Sequence, residues 1–233
     1  MKNRLLGILM VFVVFFAAVG VCFRALFKAQ AASAFEDGVR IVLDAGHGGI
    51  DGGVVGKKTG KKESDLNLAI VYKLKTELEE LGFEVLLTRK TEAGLYDTAA
   101  KGFKKRDMQK RKEIIESVNP SMVVSIHQNF YSSQSPRGGQ VFYDKGNKNS
   151  EKLALLTQQK LNGLYAQEGV KNRKASSGEF FILNCSDCPS VIVECGFLSN
   201  ERDEMLLIDG VWQKKLAKTL ALGVLAYFSD ISV

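Results

Sequence analysis

Apolar residues recur along this chain with two different spacings, and the switches between them predict alternating strands and helices. Residues 39–43 form an almost continuous apolar run, the pattern of a strand buried on both faces. Residues 65–81 carry Leu66, Ile70, Leu74 and Leu78 at every fourth position, a helix that Gly82 stops. Residues 84–89 predict a second strand. Residues 106–118 predict a charged helix with Met108, Ile114 and Ile115 inward, ended before Asn119-Pro120. Strands are predicted at 121–126 and, after Pro136-Arg137-Gly138-Gly139, at 140–143. A helix over 150–165 is followed by short apolar strands at 180–183 and 191–194. Residues 211–228 close the domain as a helix with Leu216, Leu220, Val224 and Phe228 on one face. This alternation implies a single α/β domain: a twisted, mostly parallel (mixed) sheet with helices on both faces. No internal repeat and no second domain is visible.

The N-terminus stands apart. Residues 5–23 hold no charge, and these nineteen residues as a helix rise about 28 Å, close to the hydrocarbon thickness of a bilayer. Lys2 and Arg4 precede the run and Arg24 and Lys28 follow it, so flanking charge does not set an orientation. Two stretches resembling cleavage sites, 29–31 and 32–34, lie beyond those bases, which favours an uncleaved anchor over a cleaved signal peptide. The expected organisation is a membrane-spanning or signal segment at 1–28, a tether at 29–38 and the α/β domain at 39–233. Formal net charge is +6, but four of the 32 bases and none of the 26 acids fall within residues 1–28. The rest is therefore nearly neutral, with 28 bases against 26 acids, which argues against nucleic acid as a partner.

Four cysteines are too few for a disulfide scaffold. Cys22 reads as a free thiol at the end of the apolar segment. Cys185 and Cys188 have CxxC spacing, but no second such pair completes a structural zinc site. With Cys195, they are expected to form a disulfide or simply to pack.

The chemistry concentrates at predicted strand ends, where α/β proteins build their sites. Both histidines of the chain lie there: His47 in Asp44-Ala45-Gly46-His47-Gly48-Gly49, and His127 after the run 122–126. Imidazole is the commonest zinc-binding side chain, and a catalytic zinc takes three protein ligands and leaves one position open. Glu63 is the candidate third ligand, at the mouth of the predicted 65–81 helix after a loop rich in glycine (Gly48, Gly49, Gly52, Gly53, Gly56). Taken alone it would be an acid complementing a helix N-terminus. Glu194, ending the run 191–193, is the candidate general base, since apolar surroundings and a nearby cation tune a carboxylate for proton transfer. Its plainer alternative is an ion pair with Arg89 or Arg202. Nucleotide binding is excluded: the loop ends in Gly60-Lys61-Lys62-Glu63, without the serine or threonine a phosphate loop needs, and no GxGxxG precedes a helix.

Four segments in order, Asp44 to Gly49, Glu63-Ser64-Asp65-Leu66-Asn67, Ser125-Ile126-His127-Gln128-Asn129 and Val193-Glu194-Cys195-Gly196-Phe197-Leu198-Ser199-Asn200, resemble the zinc-dependent N-acetylmuramoyl-L-alanine amidases. The resemblance spans residues 40–228. It implies hydrolysis of the amide joining the lactyl group of muramic acid to L-alanine in peptidoglycan, with one zinc ion held by His47, Glu63 and His127. By the same resemblance Glu194 is the catalytic glutamate and Asn129 a substrate-contacting position. An N-terminal apolar segment, one catalytic domain and no wall-binding repeats are most similar to the germination-specific branch, which acts in spore cortex maturation before muramic δ-lactam forms. That branch implies an extracytoplasmic domain, membrane-anchored or secreted, and a lipoprotein partner in some relatives. Gln128 departs from the small residue usual between the histidine and asparagine, a change that bears on access to the site. A zinc carboxypeptidase cutting within stem peptides and a non-catalytic peptidoglycan-binding module are the competing readings.

Overall fold

A computed structural model describes residues 38–231; the expected anchor and nearly all of the tether lie outside the described residues. Among the described residues no helix is long and apolar enough to cross a membrane. The elements run β1 (Arg40–Ala45), α1 (Glu63–Glu80), β2 (Glu84–Leu87), α2 (Phe103–Val118), β3 (Met122–Asn129), β4 (Gln140–Tyr143), α3 (Lys148–Ala166), β5 (Ser176–Ser177), a 3-10 turn (Phe181–Asn184), β6 (Ser190–Phe197), α4 (Glu201–Ile208) and α5 (Gly210–Ile231). The six strands form one mixed sheet in the order β2-β1-β3-β6-β4-β5. β2, β1, β3 and β6 run parallel, β4 joins β6 antiparallel, and β5 runs parallel to β4.

The continuous apolar run of β1 is explained by its place between β2 and β3, where Ile41, Val42 and Leu43 are all fully buried. Alternate residues divide between two cores. Ile41 and Leu43 of β1, Met122, Val124 and Ile126 of β3 and Val191 and Val193 of β6 meet α1, α3 and α5 in the larger core. There Leu66, Ile70, Leu74 and Leu78 of α1 and Leu216, Leu220, Val224 and Phe228 of α5 are buried, as their four-residue spacing predicts. On the other face, Val42, Val123 and Ile192 pack against Ile115 of α2 and Ile182 and Leu183 of the 3-10 turn. Helices therefore cover both faces, but unequally.

Several sequence expectations change. Residues 180–183 are not a strand: Phe181–Asn184 make a 3-10 turn that covers the thinner face of the sheet. A four-residue apolar run cannot fix its own backbone, and here Ile182 and Leu183 turn inward while Phe181 stays exposed. In α2 Ile115 is buried and Met108 packs against the thinner core as expected, but Ile114 joins neither core, and Asp107 and Arg111 complete the buried line. The short helix α4 has no counterpart in the periodicity, although Asn200 caps it by accepting from the backbone N–H groups of Arg202 and Asp203 at 3.0 and 3.2 Å. Cys185, Cys188 and Cys195 are free thiols, so packing and not a disulfide is their role; Cys22 lies outside the described residues.

Candidate active site

β1, β3 and β6 are neighbours in the sheet, so their parallel C-terminal ends deliver side chains to one place. β1 ends at Ala45, and Gly46 leads into His47, which takes a left-handed φ of 63°. Gly46 has to be glycine because a Cβ there would lie 2.2 Å from the His127 ring. Gly53, at φ 66°, is fixed by the same logic, since its Cβ would meet Glu63 Oε2 at 2.4 Å. β3 does not stop before His127 but continues to Asn129; His127 lies directly beside Glu194 of β6 in register, and the ladder slips between His127 and Asn129. Glu63 is the first residue of α1, two positions earlier than the helical spacing suggests.

His47, Glu63 and His127 converge. His127 Nδ1 stands 2.9 Å from Glu63 Oε1, His47 Nε2 stands 3.3 Å from Glu63 Oε2, and the two imidazole centroids are 5.1 Å apart. One ligand atom from each of the three lies within 4.8 Å of the others, and two imidazoles with one carboxylate form a donor set suited to zinc. Glu63 is fixed from every side: Oε1 accepts from the Gln128 N–H at 3.1 Å and from Asn67 Nδ2 at 3.3 Å, and Oε2 accepts from the Val54 N–H at 3.0 Å. Burial alone would raise its carboxyl, but the hydrogen bonds and charges of His127 and His47 hold it well below the carboxylate range. Burial also opposes charge on His47, yet Glu63 and Asp51 together raise its affinity for a proton.

Glu194 contrasts with Glu63. It is partly exposed, but its Oε2 is sealed from solvent and has no hydrogen-bond partner. Burial pushes its carboxyl up to about 7, with His127 and His47 pulling down and Glu63 pushing further up. No ion pair with Arg89 or Arg202 forms. Arg89 instead donates to the carbonyls of Ala45, Gly46, Ser64 and Thr91 at 2.8 to 3.1 Å. A carboxylate without partners beside three candidate ligands is suited to accepting a proton at neutral pH.

Sequence reasoning missed the scaffold beneath these groups. Arg111 of α2 is buried, pairs with Asp44, donates to Asp107 at 2.7 Å, and reaches the carbonyls of Ala45 and His47 at 2.8 and 2.7 Å. Asp44 also accepts from Thr88 and Ser125 hydroxyls, each at 2.6 Å. Although burial opposes its ionisation, Arg111, Ser125 and Thr88 lower Asp44 to about 2. Asp44 lay inside a motif already singled out; a buried arginine in a charged helix leaves no periodic signal. Gln128 does not restrict access, because it points into the protein and donates to Asn67 Oδ1 at 3.1 Å. Asn129 ends β3 with its Oδ1 accepting from the Phe130 N–H at 2.8 Å, outside the side chains that line the cleft. That cleft, of about 270 Å³, runs from His47, His127 and Glu194 to a wall built by Phe103, Met108, Phe181 and Ile182.

Fold and site together define a hydrolase centre at the C-terminal edge of a mixed α/β sheet. The family model described as N-acetylmuramoyl-L-alanine amidase matches residues 41–226, and the chain belongs to that family of peptidoglycan amidases. A germination-specific N-acetylmuramoyl-L-alanine amidase of Bacillus subtilis (strain 168) is 33% identical over 193 residues, 82% of this chain and 80% of its own. The amidase AmiA of Escherichia coli (strain K12) is 29% identical over 233 residues, 81% of this chain and 75% of its own. Among solved structures, the CwlD amidase from Clostridioides difficile, in complex with the GerS lipoprotein, superposes with a TM-score of 0.78 at 36% identity, covering 82% of this chain and 99% of that one.

Proposed function

We propose that this chain is a zinc-dependent amidase of the spore cortex, cutting between the lactyl group of N-acetylmuramic acid and the L-alanine of the stem peptide. The observation that carries the proposal is the convergence of His47, Glu63 and His127 beside Glu194, whose Oε2 has no other partner. Zinc in that position would polarise the scissile carbonyl and acidify a water molecule. Glu63 would hold the ion together with His47 and His127, while Asn67 and the Gln128 N–H keep its carboxylate oriented. Glu194 accepts the proton of the attacking water and returns it to the departing L-alanine nitrogen, a task matched to a carboxyl near neutrality. Asn129, at the end of β3, contacts substrate at the rim.

Removal of stem peptides ahead of muramic δ-lactam formation is the role supported by the germination-specific relative. The same reading puts the domain outside the cytoplasm, held to the membrane or released through its N-terminal segment. It also includes a lipoprotein partner, by extension from the GerS complex of the C. difficile amidase.

The test is mass spectrometry of purified peptidoglycan incubated with the full chain and zinc. Free stem peptides beginning with L-alanine, lost with a chelator and restored by zinc, are the expected products. Shortened peptides still attached to muramic acid would instead mean a carboxypeptidase, and tight binding without any cleavage a binding module.

A further inference from the structure

We infer that Asp51 is a positioning residue for His47, fixing the imidazole so that Nε2 is the nitrogen offered to the metal. The inference rests on the zinc reading above and adds a residue outside the three candidate ligands.

His47 Nδ1 lies 3.1 Å from Asp51 Oδ2, while Nε2 on the far side of the ring faces Glu63 Oε2 at 3.3 Å. With Nδ1 donating its hydrogen to a carboxylate, the lone pair resides on Nε2, which is the form a metal requires. The backbone brings the carboxylate there deliberately. Gly48 N–H donates to the Asp51 carbonyl at 2.8 Å and Asp51 N–H returns to the Gly48 carbonyl at 3.2 Å. This closed turn sets Asp51 four residues after His47. The two oxygens of Asp51 divide the work: Oδ1 forms an ion pair with Lys104 Nζ at 3.3 Å and accepts from the Gly53 N–H at 3.4 Å, leaving Oδ2 for the ring.

His47 itself sits in the left-handed region, which is strained for a residue with a side chain and persists only where its surroundings enforce it. Arg111 enforces it by donating to the His47 carbonyl at 2.7 Å. Backbone and ring are thus pinned separately, one by a buried guanidinium and the other by Asp51. His127 is held differently. Its Nδ1 faces Glu63, and its ring packs so close to Gly46 that even a Cβ there would collide. Of the two imidazoles only His47 leans on a carboxylate at its far nitrogen.

A merely structural Asp51 would be a turn former, accepting from the N–H two residues on. Asp51→Asn keeps the shape and an acceptor while removing the charge; Asp51→Ala removes both. The measurement is zinc affinity of the metal-free full chain, by competition with a chromogenic chelator, alongside its thermal unfolding without metal. Asp51→Ala should weaken zinc binding by about 10- to 100-fold, the range for outer partners of metal-bound histidine. Asp51→Asn should fall between it and the wild type, with an unfolding midpoint equal to the wild type's. Equal zinc affinity in wild type and Asp51→Ala, with loss in His47→Ala, would overturn the role of Asp51 and leave the zinc site standing. No zinc binding by the wild type, or full binding by His47→Ala, would overturn both.

Discussion

The two faces of the sheet are built from the same strands but do different work. On one face β1, β3 and β6 present Ile41, Leu43, Val124, Ile126, Val191 and Val193 to three long helices. On the other, the same strands present Val42, Val123 and Ile192 and then, toward their C-terminal ends, Asp44, Ser125, His127 and Glu194. Among the described residues, α2 and the 3-10 turn cover that second face, and the cleft opens between them. Strand alternation thus allots stability to one side and chemistry to the other. The thin face can hold charges because Arg111 and Arg89 come with it and saturate the carbonyls and the Asp44 carboxylate. Glu194 is the exception, left without a partner where a reaction needs one.

The largest effect should come from Glu194→Gln on the thin face. It preserves shape, so zinc binding and unfolding should stay near wild type while kcat falls by about 10²- to 10⁴-fold. A variant with normal turnover would remove Glu194 from the chemistry. On the thick face Leu216→Ala should do the converse. Leu216 is fully buried, and its truncation should cost about 2–5 kcal/mol in denaturant unfolding with kcat per folded molecule unchanged. A large fall in kcat of the folded fraction would show that the two faces are not separable.

A smaller, pH-dependent effect belongs to the Asp44–Arg111 pair. The folded-state pKa of Asp44 is lowered from 3.8 to about 2, so its stabilisation is present above about pH 4 and is lost as pH falls through about 2. That shift corresponds to about 2 kcal/mol. The difference in unfolding free energy between wild type and Asp44→Asn should therefore shrink by about that much between pH 4 and pH 2. A difference that stays constant over this interval would mean that Asp44 is not ionised in the folded protein.

The order and kind of most elements were readable because strand and helix leave different periods. Leu66 to Leu78 and Leu216 to Phe228 could hardly be anything but helix faces. The thin face was the less legible one. Ile182 and Leu183 fill it from a 3-10 turn that an apolar run of four cannot distinguish from a strand. Asp107 and Arg111 turn inward beside Met108 and Ile115, in a helix whose hydrophobic spacing carries no trace of them. Charged residues look alike in sequence whether solvated or buried, and only a partner such as Asp44, 67 positions away, makes burial of Arg111 tolerable.

By itself the sequence determined which residue types stand at the strand ends: two histidines, the glutamates at 63 and 194, and the glycines that let backbone approach a ring. It also carried the family's motifs in their order. The tertiary structure decided that β1, β3 and β6 lie side by side, which brings His47, His127 and Glu194 within reach of one another and of Glu63. It also decided which oxygens are partnered, so that one glutamate is held as an anion while the other is pushed up to about 7. Spacing along a chain fixes a side chain's face on its own element, but its charge state depends on neighbours that only folding supplies.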